Sequence, residues 1–169
     1  MSYQEKRAMV SVCTGVLLLA AYGIWALGKV RAGMAAPDDW KYWAGAMLVF
    51  IGIGVAATIV IQIVFHILLS IGIAVKKQIR TGKVDDGEVE KEIKQEMVED
   101  EMDKLIGLKS MRASFSVAGF GFVAALAALA LGFAPAVMLN ILFVAFFLGS
   151  ICEGILQMYY YKRGIAHGR

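Results

Sequence analysis

The sequence feature that most constrains the fold is a set of long apolar runs. About 20 consecutive apolar residues in a helix are enough to cross the ~30 Å hydrocarbon layer of a bilayer. The runs are 8–27, 43–75, 113–133 and 137–161, and only the last contains an acid, Glu153. The sequence therefore predicts an all-α, polytopic membrane protein with four transmembrane helices.

Composition supports lipid as the solvent of this chain. Hydrophobic residues make up 59% of it and charged residues only 18%, whereas soluble domains carry about 25% charged residues. The run 43–75 is longer than a span requires, so we expect this helix either to tilt or to continue beyond the bilayer as a cytoplasmic rod. Cys13 and Cys152 lie inside apolar runs without a C-x-x-C spacing, which predicts no disulfide framework, metal site or cofactor.

Basic residues near the helix ends predict the orientation, because cytoplasmic loops are enriched in Lys and Arg. They precede the first and third runs and follow the second and fourth. Those expected to contact lipid headgroups are Lys76, Lys77, Arg80, Lys83, Lys162 and Arg163. The sequence thus predicts a multi-pass protein of the cell (inner) membrane with both termini in the cytoplasm. Trp25, Trp40, Tyr42 and Trp43 are expected to anchor the opposite, outer interface.

The connections divide the chain into three parts. Residues 1–80 and 109–169 are each expected to form an antiparallel transmembrane hairpin, and 81–108 a charged cytoplasmic segment between them. The turn of the second hairpin is short, and Pro135 suits the start of its second helix.

The charged segment has the apolar spacing of an amphipathic helix, with Val89, Ile93 and Met97 on one face and the stripe continuing to Ile106. Gly107 is a candidate bend before the third span. An acidic face of this helix is the predicted docking surface for a cytoplasmic protein partner, and it consists of Glu92, Glu96, Glu99, Asp100 and Asp103. The alternative is a solvated face without a partner.

Polar residues within the apolar runs predict an intramembrane polar site. Four of them recur every fourth residue in the second run, and two more lie in the fourth. They are Thr58, Gln62, His66, Ser70, Glu153 and Gln157. Because a carboxylate inside a membrane is costly unless it faces protein or water, we expect Glu153 to pair with His66 or Gln62, or to remain protonated. The alternative is polar contact between helices with no further role.

Small residues repeat every fourth position in the third and fourth runs, at Gly121–Ala125, Ala124–Ala128 and Ala145–Gly149. Such spacing allows close helix contact, either within one chain or between chains of a homo-oligomer. The net charge of +3 and the absence of phosphate-binding or nucleophile motifs predict neither a nucleic-acid partner nor an enzyme.

One stretch resembles a known group of proteins. It is the acidic D-E-x-D-x-L-I-x-L-K element at 100–109, followed by a transmembrane hairpin that ends in Tyr-Tyr-Tyr-Lys-Arg-Gly. The element is similar to that of an uncharacterised family of small four-helix predicted membrane proteins of bacteria and archaea. The resemblance implies a prokaryotic inner-membrane protein and carries over no catalytic residue.

Two functions follow from these patterns. The first is a non-enzymatic regulatory, sensing or accessory subunit that acts through its cytoplasmic acidic helix. The alternative is a small oligomeric transporter or channel with a polar site at Gln62, His66 and Glu153.

Overall fold

The computed structural model describes residues 3–33, 36, 39–81, 87, 98 and 100–163. The secondary-structure elements of this part of the chain are helices, namely α1 (Tyr3–Arg31), α2 (Trp40–Thr81), α3 (Glu101–Ala130) and α4 (Pro135–Arg163). Each of them is long and apolar enough to cross a membrane. The predictions of an all-α chain and of four candidate membrane-spanning helices are therefore confirmed.

The α3–α4 connection is a short glycine turn. The N–H of Phe133 donates to Ala128 O, and the N–H of Gly132 donates to Leu129 O, each at a distance of 3.1 Å. This pair of bonds is the Schellman pattern of a helix C-terminus. Gly132 has a φ of 85°, a conformation that glycine adopts without steric cost. Because proline cannot continue a helix but suits its first turn, α4 begins at Pro135.

Helix α2 is much longer than a membrane is thick. Its N-terminus is capped by Asp39, whose Oδ1 accepts from the N–H of Tyr42 at 3.1 Å. From there it continues for 42 residues to Thr81, or about 63 Å at 1.5 Å per residue. The length fits either tilt or an extension beyond the hydrocarbon layer.

Helix α3 begins earlier than the predicted span at 113, and it corrects the predicted course of the charged segment. Asp100 is extended, with φ −78° and ψ 176°, and caps the helix that starts at Glu101. The amphipathic stripe predicted from Val89 to Ile106 is therefore interrupted at Asp100. The helix then passes through Gly107 without ending, so the residues directly before the apolar run belong to the same helix as that run.

Helix α4 lies at the centre of the molecule and contacts each of the other three helices. Against α3, its Gly149 lies beside Ser114 and its Ala145 beside Gly121. These partner positions move in opposite directions along the chain, so the two helices are antiparallel.

Helix α1 packs against another face of α4, also in the antiparallel sense. Near one end Val12 contacts Gly154, and near the other the Tyr22 hydroxyl donates to Asn140 Oδ1 at 2.7 Å. Both α1 and α3 thus use α4 as their common support.

The main buried cluster lies at the α2 N-terminal end of the molecule. It consists of Tyr22, Trp43, Met47, Ala136 and Phe143. The cluster continues into the half-buried Trp25 and Phe50, whose rings lie 6.1 and 5.2 Å from that of Tyr22. Trp43, predicted as an interface anchor, is only 4% exposed, and its indole Nε1 donates to Ala36 O at 3.2 Å. Trp40 remains exposed, as expected of an anchor.

Candidate functional site

A polar groove opens at the end of the molecule opposite the aromatic cluster. Helix α4 forms its floor, and α1 and α3 form its two walls. The groove has a volume of about 680 Å³, within the range of small-molecule sites. Its polar lining consists of Gln4, Arg7, Ser11, Asp103, Lys104, Glu153, Gln157 and Tyr161. We call it the polar groove.

Glu153 and Gln157 stand one turn apart on the floor of this groove. Both are half-buried, and Gln157 Nε2 donates to Glu153 Oε1 over 3.4 Å, which is a long hydrogen bond. The structure thus brings these two predicted site residues together, and it places the carboxylate against a polar space between helices.

The groove carries both signs of charge. Arg7 lies on the α1 wall and Lys104 on the α3 wall, and both are exposed. In the part of the chain that the structure describes, neither cationic group makes a hydrogen bond or an ion pair. The groove is therefore lined by the Glu153 carboxylate and by two cations that have no partner among the described residues.

Asp103 has a structural role at the rim of the groove. Its Oδ2 accepts from the N–H of Asp100 at 3.1 Å, and the N–H of Asp103 donates to Asp100 Oδ1 at 2.7 Å. This is a reciprocal capping box. Asp103 Oδ1 also accepts from the Tyr161 hydroxyl at 2.8 Å, which joins the start of α3 to the end of α4.

The predicted polar residues of α2 lie elsewhere. Thr58 and Gln62 line a second opening of about 530 Å³ between α1, α2 and α4, which we call the lateral cleft. Thr58 Oγ1 donates to Gly54 O of its own helix at 2.9 Å. Ser70 is half-buried further along α2, and the side chain of His66 lies outside the described part of the structure. Among the described side chains, those of Gln62 and Glu153 therefore line two different openings.

The predicted docking and headgroup residues are described only in part. Asp100 and Asp103 both serve the capping box, whereas Glu92, Glu96 and Glu99 lie outside the described residues, as does Lys83. Lys162 and Arg163 are exposed in the last turn of α4. Lys76, Lys77 and Arg80 belong to the last turns of α2, and their side chains are not described.

The small residues are used mainly within the chain. Ala125 and Ala128 of α3 and Ala145 of α4 are buried, and Gly121 and Gly149 are the positions where α3 and α4 approach most closely. Ala124 stays exposed. These faces therefore contribute to the α3–α4 interface, and packing between copies of the chain through small residues stays a prediction.

Within the described residues, no three His, Cys, Asp or Glu side chains lie together as a metal site would require. No family model, curated protein or solved structure matches the chain. The resemblance of the acidic element to a family of small membrane proteins thus stays a prediction.

Sequence reasoning missed two features. One is the hydrogen bond between Tyr22 and Asn140. The sequence indicated it only by placing one polar residue in the first apolar run and another in the fourth. The other is the arrangement of Arg7 and Lys104 around Glu153. Arg7 directly precedes the first apolar run, where the orientation rule explained it without a second role, and Lys104 lies within the charged segment, which was interpreted through its acidic face.

Proposed function

We propose that the protein is a non-enzymatic accessory or regulatory subunit of a membrane assembly. The observation that supports this proposal best is the incomplete packing of α2. In the described chain, its buried side chains are Trp43 and Met47, both in its first turns. Beyond them the helix presents long apolar side chains over most of its surface, including Val60 at 58% exposed and Leu68 at 60%.

The course of α2 adds to this argument. Its first half packs on α1, with the Trp25 and Tyr42 rings stacked 5.9 Å apart and Gly54 beside Leu18. From here on, α1 and α2 together with α4 line the lateral cleft. The exposed Gln62 side chain has no hydrogen-bond partner in the described part of the chain. An amide in an apolar span is stabilised by a hydrogen bond from a neighbouring helix, so a helix of another subunit is a suitable occupant of the cleft.

The proposed topology is two membrane hairpins in the inner membrane with both termini and the 81–108 segment in the cytoplasm. The acidic side chains that remain for docking are Glu92, Glu96 and Glu99, because Asp100 and Asp103 stabilise the start of α3. A docking surface of exposed charges implies an interaction that weakens as salt screens it over a Debye length of ~8 Å.

The test uses native membranes solubilised in a mild detergent. The tagged wild-type chain should migrate as one defined species larger than the purified chain, with a fixed partner identified by mass spectrometry. Gln62→Leu should disrupt the membrane contact, and Glu92, Glu96 and Glu99 changed together to Lys should disrupt the cytoplasmic one. Thr58→Val is the matched control for Gln62, because the Thr58 hydroxyl already bonds within its own helix. A wild-type chain that migrates only as itself would contradict the proposal.

A second candidate is a small oligomeric transporter, and the observation that favours it is Glu153 in the polar groove. Glu153→Gln keeps the hydrogen bond with Gln157 and removes the titratable group. For a proton-coupled transporter, this variant in proteoliposomes should lose proton-coupled flux while staying folded. Unchanged flux in the variant, or none in the wild type for any solute tested, counts against transport.

A further inference from the structure

The polar groove has the complement of groups that a zwitterionic ligand requires. Its two cations, Arg7 and Lys104, stand on opposite walls and have no partner within the described chain. The Glu153 carboxylate lines the same groove and accepts one long bond from Gln157 through Oε1, and among the described residues none donates to its Oε2. A ligand with an anionic group bound by Arg7 and Lys104 and a cationic group bound by Glu153 would pair all three side chains.

Asp103 lines the same groove and keeps its negative charge, but within the described residues it forms no ion pair with Arg7 or Lys104. Its two carboxylate oxygens already accept from the Asp100 N–H and the Tyr161 hydroxyl. The cationic walls are thus available to a ligand. A guanidinium and an ammonium are the side chains that bind phosphate most strongly.

One rim of the groove is apolar and open. Leu108 is 61% exposed and Met111 46%, and both line the groove on α3. The apolar surface continues along the same helix to Phe115, which is 72% exposed. A groove that is charged at one end and passes sideways into an apolar helix surface fits an amphiphile better than a wholly water-soluble molecule.

We propose that the polar groove binds the headgroup of a phospholipid that carries a primary ammonium group, of the phosphoethanolamine type. The phosphate lies between Arg7 and Lys104, the ammonium donates to Glu153 and to the amide oxygen of Gln157, and an acyl chain passes over Leu108 and Met111. The ligand supplies the cation that an intramembrane carboxylate needs. The proposed assembly role rests on α2, which does not line this groove, although Arg7 and Ser11 of α1 line both the groove and the lateral cleft.

The chemistry predicts a specific order of lipids. A primary ammonium has three N–H donors, whereas the trimethylammonium of a choline headgroup has none. A glycerol headgroup offers the phosphate without a cation. The groove should therefore prefer ethanolamine over choline and glycerol phospholipids of the same acyl chains.

The experiment measures lipid binding to the purified full-length protein by native mass spectrometry, with the three lipids added singly in detergent. Wild type should retain the ethanolamine lipid at least about tenfold more tightly than the choline lipid, the effect of one charge-assisted hydrogen bond. Glu153→Gln should remove that preference, because a neutral amide attracts an ammonium less. Arg7→Gln combined with Lys104→Gln should weaken the binding of all three lipids.

Two lysines on the same helices, but outside the groove, supply matched control variants. Lys6 and Lys109 are exposed and lie outside the lining, so Lys6→Gln combined with Lys109→Gln should leave the lipid order unchanged. Gly107 lines the groove, and a Cβ placed there meets nothing within 4 Å. Gly107→Leu should thus block lipid binding while the thermal stability of the lipid-free protein is kept.

Free phosphoethanolamine distinguishes a lipid from a soluble ligand of the same chemistry. It should compete at least about tenfold more weakly than the lipid, since it lacks the acyl chains that add apolar burial. Equal binding of the three lipids by wild type, normal binding by Gly107→Leu, or competition by free phosphoethanolamine as strong as that of the lipid would each overturn the proposal.

Discussion

At the scale of the residue, Gly121 is a position where α3 and α4 approach closely. A methyl group at this position would overlap the Cβ of Ala145 on α4. Because α3 and α4 also meet at Ser114 and Gly149 and are joined by a short turn, they have little freedom to separate. Close backbone approach through small residues is the main source of helix association where lipid removes the hydrophobic drive.

We expect Gly121→Ala to lower the thermal stability of the protein in detergent, by about 1–3 kcal/mol, the usual cost of overpacking. Gly119→Ala is the matched control, since a methyl group there meets nothing within 4 Å. The control should be neutral or gain up to about 1 kcal/mol from the higher helix propensity of alanine. Equal stability of the two variants would show that α3 and α4 do not pack at Gly121.

Tyr22 of the aromatic cluster forms a side-chain hydrogen bond with Asn140 that connects α1 to α4. Tyr22→Phe removes the 2.7 Å hydrogen bond and leaves the side-chain Oδ1 of Asn140 without its donor. We expect a loss of about 0.6–1.5 kcal/mol in a detergent unfolding assay. Tyr42→Phe is the control, because no hydrogen bond to the Tyr42 hydroxyl is made in the described chain.

A double-mutant cycle separates the hydrogen bond from packing. Asn140→Leu combined with Tyr22→Phe should cost less than the sum of the single changes, because no unpaired polar group then remains. Strictly additive costs would mean that the two side chains do not interact.

At the scale of the element, two contacts stabilise the start of α3, one between residues close in sequence and one between residues far apart in sequence. The capping box between Asp100 and Asp103 is local, whereas the bond between Asp103 and Tyr161 connects residues 58 positions apart. The local contact supports the first turn of α3, and the distant one holds that turn against the end of α4.

Variants at these positions should separate the two contacts. Tyr161→Phe removes the distant bond and leaves the capping box in place, so we expect modestly faster amide hydrogen exchange in the first turn of α3. Asp103→Ala removes both contacts and should accelerate exchange further, with a loss of about 1 kcal/mol from the cap alone. Tyr159→Phe is the control, because the Tyr159 hydroxyl accepts a hydrogen bond from Arg163 of the same helix at 3.5 Å and makes no described bond to α3. Equal exchange in all three variants would contradict this assignment.

These elements also show how far the sequence predicts the structure. The apolar runs predict the four helices, and Pro135 and Gly132 predict the turn, because both depend on local physics. The interruption at Asp100 was missed because the apolar stripe continues through it and a cap is a local competitor to that pattern. The sequence did not predict that Glu153 lines a groove between α1 and α3, because a 3.6-residue period defines helix faces but not their neighbours.

At the scale of the whole molecule, the two ends differ in chemistry. Trp25, Tyr42 and Trp43 lie at one end, and Arg7 and Lys104 line a groove at the other. The excess of Lys and Arg predicts that the end with the polar groove faces the cytoplasm. The two helix pairs also differ: α3 and α4 meet at small residues, whereas α1 and α2, together with α4, line a cleft beyond Gly54.

The predicted orientation can be tested with cysteines on opposite sides of the membrane. In a background of Cys13→Ser and Cys152→Ser, Ala36→Cys should react with a membrane-impermeant maleimide added to intact cells, and Gly87→Cys should not. Both positions are exposed, and Ala36 contributes only its backbone oxygen to the bond with Trp43, so neither change should disturb the fold. The expectation rests on the excess of Lys and Arg on the side of residue 87. Permeabilised cells supply the control, because Gly87→Cys should then label fully. Labelling of Gly87→Cys but not of Ala36→Cys in intact cells would reverse the orientation and place the polar groove at the outer face.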